Sequence, residues 1–199
     1  MSKNFMEVLK SRRSIYSINS ETPVSDEKTI EIIKETVQHV PSAFNNQSAK
    51  TVVLFGESHK KLWDIVMETL RKIVPADKFK PTEDKINSFA AGHGTVLYFD
   101  DTEITKELMN KFPLYSENFP IWAEQSNGML QFAVWCLLEE QGFGATLQHY
   151  NPIIDEEVKK EFNIPKEWKL TAQMPFGKPV GPAGEKTFNP IDERVKVFF

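Results

Sequence analysis

LLEEQGFGATLQHYNP, residues 137–152, decides how the rest of the chain is read. An apolar run, MLQFAVWCLL at 129–138, stops at Gly142 and Gly144 and gives way to a short strand-like ATLQHY. Two glycines let the backbone turn tightly and lie close to something flat or bulky. Behind them come an amide (Gln148), an imidazole (His149) and a phenol (Tyr150). That mixture suits a planar heterocycle better than a dry core.

Upstream, residues 126–141 spell the most hydrophobic helix of the chain, with almost no polar face. A helix apolar all round is buried on all sides. In a chain of this size that points to a subunit interface as well as a core. Before it, FPLYSENFPIW at 112–122 is aromatic and broken by two prolines, which argues against a regular element. It reads as an excursion or lid whose Phe112, Tyr115, Phe119 and Trp122 cover a pocket or a partner. Downstream, 155–162 reads as a modest helix and 168–176 (WKLTAQMPF) as a strand. The tail GEKTFNPIDERVKVFF carries Lys186 and Arg194. The alternation in RVKVF suits an edge strand, one that needs a sheet to join, here in a partner subunit.

The N-terminal half supplies further polar clusters. A short helix over 4–13 ends in Arg12-Arg13-Ser14, where two forked guanidiniums and a hydroxyl can grip a phosphate. The alternative is a solvated basic helix end favoured by the macrodipole. Ser25 opens a helix whose Ile30, Ile33, Val37 and Val40 make one apolar face, and Pro41 stops it. PSAFNNQSAK at 41–50 then leads into the strand TVVLF at 51–55. Its Asn45, Asn46 and Gln47 can read the edge of a ring, with Ser42 in the same polar stretch, although turn chemistry also favours Ser and Asn. Ser58 is the expected cap of a third helix, and 82–91 forms a fourth. The strand TVLYF at 95–99 follows Gly92 and Gly94. That GHG lacks a third glycine and precedes its strand, so it is no dinucleotide fingerprint. About four strands and six or seven helices, without a strict βαβ rhythm, give an α+β or mixed chain with helices on both sides of a sheet.

With 199 residues, 40% hydrophobic and 26% charged, the chain has the composition of an ordinary globular domain. A formal net charge of −4 gives no electrostatic case for nucleic acid or an anionic membrane. Residues 1–10 lack a signal-peptide core and no stretch is long enough to span a bilayer, so a cytoplasmic protein is expected. The single Cys136 lies in the most apolar stretch and reads as a buried thiol. His39, His59, His93 and His149 have no ligand-spaced partner, so no metal is expected. There is no P-loop, no nucleophile elbow and no nucleophile–base pair. What remains is a scatter of phosphate- and ring-binding features, which fits an organic cofactor that carries its own chemistry.

At this point RRSIY, PSAFNNQ, GFGATLQHYNP and the EKTFNPIDERV tail resemble the nitroreductase family of FMN oxidoreductases. The resemblance is to its short subgroup of fatty-acid-repression and copper-induced nitroreductases, and it runs nearly end to end. It implies an α+β nitroreductase-like fold over 1–199, with a central, mostly antiparallel sheet flanked by helices. It also implies an intertwined homodimer with two FMN molecules at the interface and the 186–199 tail reaching the partner. Arg12, Arg13 and Ser14 would hold phosphate and ring edge, with Tyr16 where a basic residue is more usual. Ser42, Asn45 and Gln47 would meet the ribityl chain and isoalloxazine. Gln148 and His149 would lie along the ring beside Tyr150, and Lys186 and Arg194 would add cations near the phosphate. The implied activity is ping-pong hydride transfer from NADH or NADPH to nitroaromatics, quinones or similar planar acceptors. A flavin- or lipid-binding regulatory protein with incidental reductase activity is the alternative.

Overall fold

The computed structural model describes residues 3–199. Its centre is a five-stranded sheet in the order β1-β5-β3-β2, with β4 also on β5. The strands are β1 (Ile18–Asn19), β2 (Ala49–Phe55), β3 (Gly94–Asp101), β4 (Gly144–Ala145) and β5 (Trp168–Pro179), and all their pairings are antiparallel. Two apolar layers sandwich this sheet. On one face Val96, Tyr98, Ala172, Met174 and Phe176 pack against Ile33 of α2 (Asp26–His39) and Leu130, Val134 and Leu138 of α6 (Asn118–Glu140). On the other, Leu54, Leu97, Phe99 and Leu170 meet α3 (Gly56–Arg71), α4 (Lys80–Ala90) and α7 (Asp155–Glu161) through Leu62, Trp63, Phe89 and Val158. This is the expected α+β arrangement. Because β3 and β5 are covered on both faces, their side chains are buried almost without alternation.

Caps explain several boundaries. Asn4 and Glu7 form a reciprocal capping box at the start of α1 (Phe5–Ser11), and Ser25 caps α2 as expected. Ser58 does not cap α3. That helix begins at Gly56, whose φ of 53° turns the chain directly out of β2, and it has no side-chain cap. The expected proline-broken 112–122 excursion is also corrected. After α5 (Thr102–Lys111), Pro113 opens a short 3-10 turn and Pro120 sits in the first turn of α6. Proline is tolerated there because first-turn N–H groups have no helical partner. RVKVF forms no strand within the chain: the tail holds a 3-10 turn at Ile191–Glu193 and is exposed throughout.

The fully apolar reading of α6 needs adjustment too. Cys136 is buried, but Met129 is 44% and Phe132 38% exposed, and α1 beside them exposes Phe5 and Met6. No helix among the described residues is long and apolar enough to cross a membrane.

Candidate active site

Strand pairing gathers one group of site residues at the Gly177 end of β5. Arg12 follows α1, and Ser14 bridges Ala145 of β4, which pairs with Phe176. The Arg12 guanidinium lies 4.2 Å from the centre of the Trp135 ring, and its buried Nε has no hydrogen-bond partner. Arg13 donates through Nη2 to the Gly184 carbonyl at 2.5 Å, which brings the start of the tail, and with it Lys186, towards the cluster. Among the described residues no carboxylate lies within ion-pair distance of Arg12, Arg13 or Lys186. Un-neutralised cations beside a hydroxyl fit a phosphate, because forked guanidinium donors match its oxygens. Arg194 is exposed further along the tail and joins neither cluster.

Residues 146–151 run along β5 from this corner. Gln148 N–H donates to the Gln173 carbonyl at 2.7 Å and Gln173 N–H returns the bond at 2.9 Å. Tyr150 stacks edge-on to Trp63, with ring centres 6.0 Å apart. Burial, with Tyr16 nearby, pushes its phenol up to about 12, so it stays a protonated donor near neutral pH. Tyr16 is half-exposed against Phe89. His149 is exposed, and its backbone N–H has no partner among the described residues.

The second group stands at the opposite end of the sheet. Residues 42–48 lead into β2 where Ala49 pairs with Asp100, which pairs in turn with Lys169. Seven residue steps along β5 separate Lys169 from Phe176, so this loop and the Arg12–Ser14 corner are offset by about 23 Å along the strand at 3.3 Å per residue. Phe44 (φ 56°), Asn45 (φ 51°) and Gln47 (φ 53°) all occupy the left-handed region, which is sterically costly for Phe and Gln. The loop is held by Ser42, whose Oγ accepts the Gln47 N–H at 3.0 Å, and by Asn46, whose Oδ1 accepts the Ser48 N–H at 3.2 Å. A cleft of about 450 Å³ lies alongside, lined by Lys34, Val40, Ser42, Gln47, Lys50 and Trp168.

The strained Phe44 is the residue that sequence reasoning missed. Its ring meets Phe112, Phe119 and Trp122 at 5.0, 5.3 and 6.1 Å, and Tyr115 at 6.4 Å. It thereby ties the 41–50 loop to the aromatic segment, and an aromatic in a loop of amides was the available signal. Phe119 is fully buried and supports the cluster from below, while Tyr115 is 46% exposed.

The family model for the nitroreductase family matches residues 9–178. Solved structures of the Lactococcus lactis nitroreductase CinD superpose with TM-scores of 0.91 in complex with chloramphenicol and 0.90 in complex with 4-nitrophenol. Their identities are 42% and 43%, and each match covers 98% of this chain and 100% of the other. The nitroreductase FRM2 of Saccharomyces cerevisiae is 32% identical over 189 residues, 93% of each chain. At 18% identity, a Desulfovibrio desulfuricans protein in complex with FMN shares the fold (TM-score 0.72) and covers 100% of this chain and 99% of that one. With a family model spanning both halves of the sheet and relatives alike from end to end, the chain belongs to the nitroreductase family of flavin-dependent oxidoreductases.

Proposed function

We propose that the protein is an FMN-dependent enzyme that reduces nitroaromatics, quinones or similar planar acceptors with NADH or NADPH, working as an intertwined homodimer with a flavin at each of two interfacial sites. The separation of the two site halves by about 23 Å carries this reading. A ligand gripped at Arg12–Ser14 is out of reach of Ser42, Asn45 and Gln47 of the same chain. A two-fold-related copy supplies the missing half, and the same contact builds the second site. The exposed apolar side chains of α1 and α6 support such a contact, as does a tail that ends in exposed Phe198 and Phe199.

In this reading Arg12, Arg13 and Lys186 bind phosphate as charges, and the Ser14 hydroxyl adds a hydrogen bond. Arg194, on the 186–199 tail, adds charge from the partner side. Ser42, Asn45 and Gln47 of the partner chain address the ribityl chain and ring edge, and Tyr16 flanks the site. The unpartnered His149 N–H lines the ring as a preorganised donor beside Gln148, and such a donor stabilises negative charge without reorganising. Tyr150, held as a neutral phenol, adds no competing charge. Phe112, Tyr115 and Trp122, resting on Phe119 and joined by Phe44, form the apolar cover that admits flat acceptors. FMN, when bound, supplies the two-electron chemistry between nicotinamide and acceptor in two half-reactions. The CinD complexes with chloramphenicol and 4-nitrophenol support acceptors of this class, and the FMN complex of the D. desulfuricans protein supports the cofactor.

The test is an absorption spectrum of the purified protein with added FMN, followed anaerobically by NADH and then NADPH. Flavin bands that bleach within seconds are expected, and the faster donor identifies the nicotinamide. Protein that takes up no FMN contradicts the proposal.

A further inference from the structure

Gln173 is a fully buried amide in the middle of β5, on the face that carries Leu97 and Trp63. Buried amides are expensive unless they are bonded, so its partners show what it is for. All four of its polar groups bond to the same segment. Its backbone exchanges two hydrogen bonds with Gln148, at 2.7 and 2.9 Å. Its side-chain Oε1 accepts the Tyr150 N–H at 2.7 Å. Its Nε2 donates to Asn151 Oδ1 at 3.2 Å. The side chain thus continues, beyond residue 148, the ladder that the backbone has begun. It replaces the β-partner that Tyr150 and Asn151 lack. Between the two anchored residues, the His149 N–H is left without a partner.

From this geometry we infer that Gln173 is a positioning residue: it fixes the backbone of residues 148–151 so that the free His149 N–H is presented to the bound ring. The inference rests on the flavin reading of the preceding subsection. Gln173 lies behind the segment and acts only through it. A donor aimed at developing charge loses its effect when displaced by a fraction of an ångström.

The experiment compares wild-type protein with Gln173→Met, which keeps the volume and removes both side-chain bonds, and with Gln173→Glu. The glutamate retains an oxygen for the Tyr150 N–H, and the Asn151 amide can turn over to donate to the other. Four quantities are read: FMN affinity, exchange of the Tyr150 amide, the midpoint potential of bound FMN, and the rate of anaerobic reduction by NADH. For Gln173→Met the expected results are faster Tyr150 exchange, an altered potential and a reduction rate lowered about 10- to 100-fold. FMN affinity should stay within about tenfold, since the phosphate grip is untouched. Gln173→Glu should recover most of the rate. Unchanged potential and reduction rate in a folded, FMN-loaded Gln173→Met protein would overturn the inference. Should that variant not fold, Asn151→Ala, which cuts only the Nε2 bond at a half-buried residue, carries the test with the same readouts and the same refuting result. Wild-type protein that binds no FMN removes the flavin reading and this inference with it, whereas flavin-loaded wild type with unaffected variants removes this inference alone.

Discussion

Replacing His59 should remove a large acid sensitivity from the fold. The ring is 2% exposed and wedged between α3, β3 and the end of α4. Its Nε2 faces the Ala90 carbonyl at 3.2 Å, which requires a proton there. Its Nδ1, 2.8 Å from Thr95 Oγ1, is then the acceptor of the threonine hydroxyl, while Trp63 Nε1 donates to that oxygen at 3.0 Å. The trio is satisfied only with a neutral imidazole. Burial accordingly lowers the His59 pKa from its ordinary 6.5 to about 4. The unfolded chain therefore binds this proton first as pH falls. The neutral ring's contribution is fully present above about pH 6.5 and is lost as pH drops towards 4. A fall of about 2.5 at 1.36 kcal/mol each amounts to about 3 kcal/mol. His59→Gln keeps an N–H for Ala90 and an oxygen for Thr95 but cannot titrate. Urea denaturation of both proteins at pH 7.5, 6, 5 and 4 reads the difference directly. The wild type's stability relative to the variant should fall by about 3 kcal/mol over that range. Parallel stability–pH curves would refute the neutral-ring argument.

Three further perturbations have defined outcomes. Gly177→Ala places a Cβ against the Asn19 carbonyl oxygen and 3.0 Å from the His93 nitrogen, so it should cost about 1–3 kcal/mol by chemical denaturation, and an unchanged midpoint would contradict the packing of β1 on β5. Phe119→Ala should cost about 3–5 kcal/mol because the ring is fully buried, whereas Trp122→Ala should leave stability nearer wild type and change the KM for nitroaromatic acceptors; the reverse pattern would count against the proposed cover. Met129→Glu with Phe132→Glu should convert the proposed dimer to monomers by light scattering and reduce bound FMN in parallel, and monomers that still bind FMN would separate the cofactor from the interface.

Much of the fold was legible because its signals are local. The spacing of Ile30, Ile33, Val37 and Val40 marks α2, and the β-branched runs at 51–55 and 95–99 mark the paired centre of the sheet. What went astray depended on context. Pro120 reads as a breaker, yet at the start of α6 its missing N–H costs nothing. The strand signal at 168–176 does not tell that Gln173 is buried, which follows because both faces of β5 are covered. His93 and Asp26, 67 residues apart, come within 2.6 Å, a pairing no spacing rule predicts.

The site was legible as motifs and illegible as geometry. Arg12-Arg13-Ser14 and the 41–50 loop each announce ligand chemistry, but nothing in their order tells that β5 holds them at opposite ends of the sheet. An aromatic among the loop's amides singles out Phe44, but the left-handed φ that joins it to the 112–122 aromatics has no sequence signal.

That separation makes subunit mixing the most direct test. One variant carries Arg12→Ala and Arg13→Ala, the other Ser42→Ala and Gln47→Ala, and each homodimer should bind little FMN. Co-refolded together, the hybrid dimer holds one site built wholly from unaltered residues, the arginines from one chain and the loop from the other. Random pairing should then restore about a quarter of the wild-type FMN content and NADH-dependent nitroreduction. Recovery at that level places the two halves on different subunits. If mixing restores nothing while hybrid dimers demonstrably form, a flavin site shared between chains is contradicted.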